Sequence, residues 1–156
     1  MSNLEELRKV FAKAIHSKVL AIITLELTEK ERSRMNESIS DDIRKYSDLI
    51  PPWISKKAKE KARKIGIDLS GNGWHDQTKF DKSRKIFHFE HFYTVKSIRE
   101  KCLNAMSEEE IVGVLDRNVK IIWILKDEDK KLTELGHKSN REDPEGAYKE
   151  AGIEIA

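Results

Sequence analysis

The sequence predicts an α+β fold, mostly helical, with a small sheet. Three observations carry that expectation. Helix-start signals, a Ser, Thr or Asp followed three residues later by an acid or a helix former, recur along the chain. Two short runs, residues 85–93 and 119–125, have the aromatic and β-branched composition of strands. The length, 156 residues, is that of one domain with its own core, and no internal repeat or low-complexity tail interrupts it.

The elements follow in order. Ser2 and Glu5 form a capping-box pattern, and Leu4, Leu7, Val10, Phe11, Ala14 and Ile15 then recur at helical spacing, so an amphipathic helix is expected to end between His16 and Val19. Residues 19–27 are short and apolar, and either extend that helix or form a buried strand; periodicity does not separate the two. Thr28 and Glu31 open a polar helix to about Tyr46, striped by Met35, Ile39 and Ile43, and Pro51-Pro52 breaks the chain. Ser55 caps a third helix over 56–65, closed by Gly66. Ser70-Gly71-Asn72-Gly73 is a turn cluster, and residues 74–83 read as irregular.

After the first strand run, Ser97 with Glu100 opens a helix to about Ala105. Ser107 with Glu110 opens another, carrying Ile111, Val112, Val114 and Leu115. The second strand run leads into a short helix over 127–135 with Gly136 behind it. Asp143-Pro144 starts a last helix to about Ala151. We expect a single domain over 1–156: a helical layer over 1–53, a basic helix and a catalytic core over 54–141, and a C-terminal helix over 142–156.

Composition removes several classes. One cysteine, Cys102, excludes an internal disulfide and a multi-cysteine zinc site, and its place in a helix fits packing. No apolar run reaches the roughly 18 residues of a membrane span, and the N-terminus lacks the basic-then-apolar order of a signal peptide. A cytoplasmic location without membrane contact is expected. No phosphate-cradling Gly-rich loop and no nucleophile elbow is present.

The net charge of +2 hides an asymmetry: residues 1–53 hold 9 basic and 9 acidic side chains, 54–101 hold 13 and 6, and 102–156 hold 8 and 13. The basic middle predicts a face that attracts nucleic acid through Lys56, Lys57, Lys61, Arg63, Lys64 and Arg84. Trp53 and Trp74 flank its helix as candidate stacking residues or core residues. His75 and Asp76 form a further polar cluster upstream of the strand.

The most specific segment is Lys85-Ile86-Phe87-His88-Phe89-Glu90-His91-Phe92-Tyr93. Two imidazoles and a carboxylate within four positions offer ligands for a divalent ion and a base for water activation. Strand alternation puts His88 and Glu90 on one face and His91 on the other, so a bulge is needed to bring Glu90 and His91 to one mouth. The alternative is half-buried histidines bonded to backbone.

An acid followed by His at the end of a strand, here Glu90-His91, resembles the opening of HNH nucleases, the His-Me finger group with its ββα-metal core. Asp129 and His137, eight residues apart after the second strand run, are similar to that group's metal-binding helix. The resemblance implies a metal-dependent endonuclease acting on nucleic acid, DNA in preference to RNA. His91 would be the general base, supported by Glu90 and His88. Glu90, Asp129 and His137 would ligate magnesium or manganese, with zinc as an alternative, and Lys138 and Arg141 would contact phosphate. The cysteine pairs that often brace that fold are absent, and acids replace its usual Asn. A homodimer would suit symmetric cleavage of a duplex. The competing expectations are a non-catalytic nucleic-acid-binding module and a protein–protein adaptor.

Overall fold

The first helix, α1, runs Asn3–Thr24, so the ambiguous apolar run resolves as its continuation. Its start is set by the reciprocal Ser2–Glu5 box, in which the Ser2 amide donates to the Glu5 carboxylate at 2.9 Å. Thr28 caps α2 (Glu29–Ser47) in the same way. The computed structural model describes residues 2–139 and 141–156. It bears out the α+β class: mostly helix, with one three-stranded sheet.

The chain divides into two compact units. One comprises the N-terminal residues through Leu49 together with Val95–Val119; the other comprises Ile50–Thr94 and Lys120–Ala156. The first unit holds α1, α2, α4 (Val95–Leu103) and α5 (Glu108–Asn118). Ile15, Ile39, Ile43, Ile98, Ile111 and Leu115 are fully buried there. Helix α4 begins two residues before Ser97, so the Ser97–Glu100 spacing lies inside the helix instead of opening it. Ser107 does cap α5, accepting from the Glu110 amide. Cys102 is buried, and burial pushes its thiol up to about 12, which fits packing.

The second unit is built on the sheet. Strand β3 (Ile121–Leu125) lies at its centre, parallel to the short β1 (Trp53–Ile54) and antiparallel to β2 (Phe87–His91). Four consecutive buried residues of β3 show that both of its faces are covered, which is why it reads as a continuous apolar run. One face packs Phe87, Phe89, Ile121 and Trp123 against Ala58 and Ala62 of α3 (Lys56–Ile65). The other packs Ile122 and Ile124 against Leu132 of α6 (Lys126–Glu134) and Ala147 and Tyr148 of α7 (Pro144–Ala151). Helix α6 follows β3 without a loop; β2 and β3 are neighbours in the sheet, with α4 and α5 between them in the chain.

The irregular stretch before β2 folds as two 3₁₀ turns, Trp74–Lys79 and Lys82–Arg84. Ser83 and Arg84 take positive φ of 64° and 51°, a conformation that costs energy outside glycine. Asp81 holds it: its buried carboxylate accepts from the backbone N–H groups of Lys85, Ile86 and Phe87 and from the Gln77 amide. That clamp fixes where β2 begins. No helix among the described residues is long and apolar enough to cross a membrane.

Trp123 contacts the rings of Phe80, Phe87 and Phe89 and donates its indole N–H to the Asn72 carbonyl at 3.0 Å. Trp123→Ala is therefore expected to cost about 3–5 kcal/mol of stability, read by urea unfolding; a loss under about 1 kcal/mol would show that the aromatic cluster is not what holds this unit.

Candidate metal centre

The register of β2 against β3 is unbroken, from Phe87 opposite Leu125 to His91 opposite Ile121. The bulge needed to turn Glu90 and His91 to one mouth is absent, because every β2 residue has its own partner. His88 and Glu90 therefore share the face of Ile122 and Ile124, where α6 and α7 pack. His91 shares the opposite face with Phe89, whose ring lies 6.4 Å away.

Helix α6 completes the cluster. Because it begins directly after β3, Asp129 falls in its first turn, beside β2. His88 Nε2 lies 2.7 Å from Glu90 Oε2 and 3.5 Å from Asp129 Oδ1. One ligand atom from each of the three lies within 4.8 Å of the others, so this trio can hold a metal ion. The His88 and Asp129 side chains keep 30% and 28% exposure, which opens the site to solvent, while Glu90 at 9% forms its floor.

The floor is an ionised carboxylate held in the interior. Burial alone would push the Glu90 pKa up; the His88 hydrogen bond and the Arg141 charge outweigh it and leave the pKa below the usual 4.5. Arg141 is almost wholly buried, with side-chain exposure of 1%. Its Nη2 donates to Glu90 Oε1 at 2.5 Å, its Nη1 to the His91 and Phe92 carbonyls, and its Nε to the His137 carbonyl. The expected phosphate contact at Arg141 thus gives way to a structural role: the guanidinium spends its donors inside the protein, tying the segment before α7 to the end of β2.

The remaining residues singled out from the sequence scatter. His137 Nε2 pairs with Glu150 at 2.8 Å, beyond the end of α6 and outside the trio. Lys138 is exposed. On α3, Lys56 pairs with Glu154 and Arg63 with Glu60, while Lys57 and Lys61 have no acidic partner among the described residues. The Arg84 guanidinium stacks over the Trp74 ring at 3.8 Å.

Two further residues lie near the trio. Glu128, also in the first turn of α6, turns inward: its Oε1 accepts from the Ser55 hydroxyl at 2.6 Å and the Leu125 amide at 3.0 Å. The Tyr148 hydroxyl is buried without a hydrogen-bond partner among the described residues, as is Glu128 Oε2. Burial first, and then the charge of Glu90, raises the Tyr148 phenol above its ordinary range, so it stays protonated. The Glu128 contact was foreshadowed by its position, three residues after Leu125, where a Glu reaches back to cap. Nothing in the sequence marked Tyr148.

Comparison with known proteins gives no match, whether with family models, curated proteins or solved structures.

Arg141→Met leaves a buried carboxylate without its cation, at an expected cost of about 3–5 kcal/mol, partly recovered when Glu90→Gln is added. A double variant no more stable than Arg141→Met would refute the pairing. The pH dependence has a definite sign. A folded pKa below the unfolded one makes Glu90 stabilising above about pH 4.5, and this contribution is lost as pH falls through the folded value. Urea midpoints measured in chelator should fall over that acid range more steeply for the wild type than for Glu90→Gln.

Proposed function

We propose that the sheet-bearing unit is a divalent-metal-dependent hydrolase of nucleic-acid phosphodiesters, an endonuclease acting on DNA in preference to RNA, with its ion at His88, Glu90 and Asp129. The observation that carries the reading is the convergence of these three donors on one solvent-open point. The resemblance of the acid–His strand end to HNH nucleases, and the pairing of β2 with β3, which leads directly into α6, support the same class.

Two carboxylates and an imidazole suit magnesium or manganese, and the imidazole also admits zinc. Such an ion neutralises developing charge on a phosphate and makes its bound water more acidic. The protein's own groups do the rest. Arg141 keeps Glu90 ionised and fixes its Oε1, leaving Oε2 directed at His88. Lys126 Nζ lies 3.5 Å from His88 Nδ1, so the neutral ring carries its proton on Nε2 and donates it to Glu90. An ion held at Nε2 would take the place of that proton, and Lys126, no longer bonded to Nδ1, would be a cation available to substrate phosphate. His91, across the sheet, has no part in this arrangement. Water activation falls to the ion and the trio.

A specific observation also keeps the non-catalytic binding module as the second reading: Lys57 and Lys61 have no acidic partner among the described residues, whether or not an ion binds.

The deciding experiment incubates plasmid DNA and RNA with magnesium, manganese, zinc or chelator. Metal-dependent cutting is expected, abolished in His88→Ala and Asp129→Asn but retained in His91→Ala and His137→Ala. Manganese affinity by calorimetry should drop in the first pair by more than the roughly 10–100-fold that losing a mere supporting partner costs. Binding of nucleic acid without cutting under any ion would select the second reading. Loss of cutting in His91→Ala alone would return the base to the far face.

A further inference from the structure

On α3, the cations divide by face. Lys57, Lys61 and Lys64 recur at four- and three-residue spacing and line one cleft of about 410 Å³ together with Lys56, Glu60 and Leu125. Like charges at this spacing repel one another along a helix. Glu60 relieves them little: it is engaged by Arg63 at 2.8 Å and reaches Lys64 only at 3.8 Å, while Lys56 is paired with Glu154. Ala58 and Ala62 hold an adjoining side of the helix in the core, so the orientation of the cationic face is fixed by packing.

The cleft and the metal centre lie on opposite faces of the sheet, and the chain passes from one to the other at the junction of β3 and α6. Leu125 is followed by Lys126, whose Nζ meets His88, and Asp129 lies four residues on, about 6 Å along the axis of α6. We infer that the lysine-lined cleft between α3 and Leu125 is a track for the phosphodiester backbone of a nucleic-acid strand. The inference deepens the proposed function and rests on it for the role of the bound strand as substrate. Lys57 to Lys64 spans seven residues, about 10 Å of helix, which matches roughly three phosphates at the axial rise of one strand. The contacts are to backbone charge, so the track reads no base sequence.

The test reads binding in chelator, where the metal centre takes no part. Fluorescein-labelled duplex DNA, single-stranded DNA and RNA are titrated from 50 to 200 mM salt against wild type, the Lys57→Ala/Lys61→Ala pair, and the Lys30→Ala/Lys45→Ala pair on the exposed surface of α2. The α3 pair should lose at least about tenfold in affinity at 150 mM salt. Its log–log salt slope should flatten by about 1.8 on a duplex or about 1.4 on a single strand, two phosphate contacts' worth. The α2 pair, which removes the same charge, should bind as wild type does. Equal losses in both pairs, an unchanged slope in the α3 pair, or no binding by wild type would each overturn the track. Absence of cutting with every ion would overturn the hydrolase and leave this binding result standing, so the two failures are told apart.

Discussion

The buried pair of Glu90 and Arg141 is the constraint on which the sheet-bearing unit turns. A carboxylate in the interior is costly unless a cation and hydrogen bonds meet it, and the same holds for a guanidinium. Here one guanidinium supplies both needs, since its fork bonds a carboxylate and three carbonyls at once. Lysine has no such planar fork and would leave carbonyls at the end of β2 unmet. The pair therefore does two things. It closes the segment before α7 onto the sheet, and it keeps a negative charge permanently beside His88. The cation and the His88 hydrogen bond together offset the burial that would otherwise favour the protonated carboxyl.

The junction between β3 and α6 sets the other half of the centre. With no loop between them, the first turn of the helix is placed by the strand, and the strand is buried on both faces. Successive helix residues point about 100° apart. Glu128 and Asp129, neighbours in sequence, are thus sent to different tasks. Glu128 turns down to the Ser55 hydroxyl and caps its own helix, while Asp129 turns out to His88. Acids in a first turn complement the helix dipole in any case, which is why composition could not say which of the three acids here was more than a cap.

Much of the architecture was legible. The capping boxes at Ser2 and Thr28 and the Ser55–Gly66 bracket gave true helix ends, because capping is local chemistry. Both strand runs contain strands. Strand β1 was illegible: two residues after a Pro-Pro pair carry no period, and only pairing with β3 makes them a strand. The site was half legible. Alternation along β2 already separated His88 and Glu90 from His91, and the register keeps them apart. The residue resemblance favoured His91 as base because it weighs sequence adjacency, whereas the sheet weighs faces. Arg141 read as a surface cation since burial of an arginine depends on a carboxylate 51 positions away, which no local pattern announces.

The electrostatics of the unit impose an order on the proposed reaction. Glu90 and Asp129 present negative charge where a phosphate must arrive, and Arg141 is committed inside. In the proposed reaction a bare site repels its substrate, and a divalent ion cancels the charge of the two carboxylates. The lysines of α3 lie along a separate cleft and attract a polyanion without the ion. Binding of the strand and commitment to cleavage are therefore distinct events, governed by different residues. On this reading, nucleic acid gathers on α3 in any ionic condition that leaves the lysines unscreened, and the ion at His88, Glu90 and Asp129 decides whether a phosphate is held there for attack.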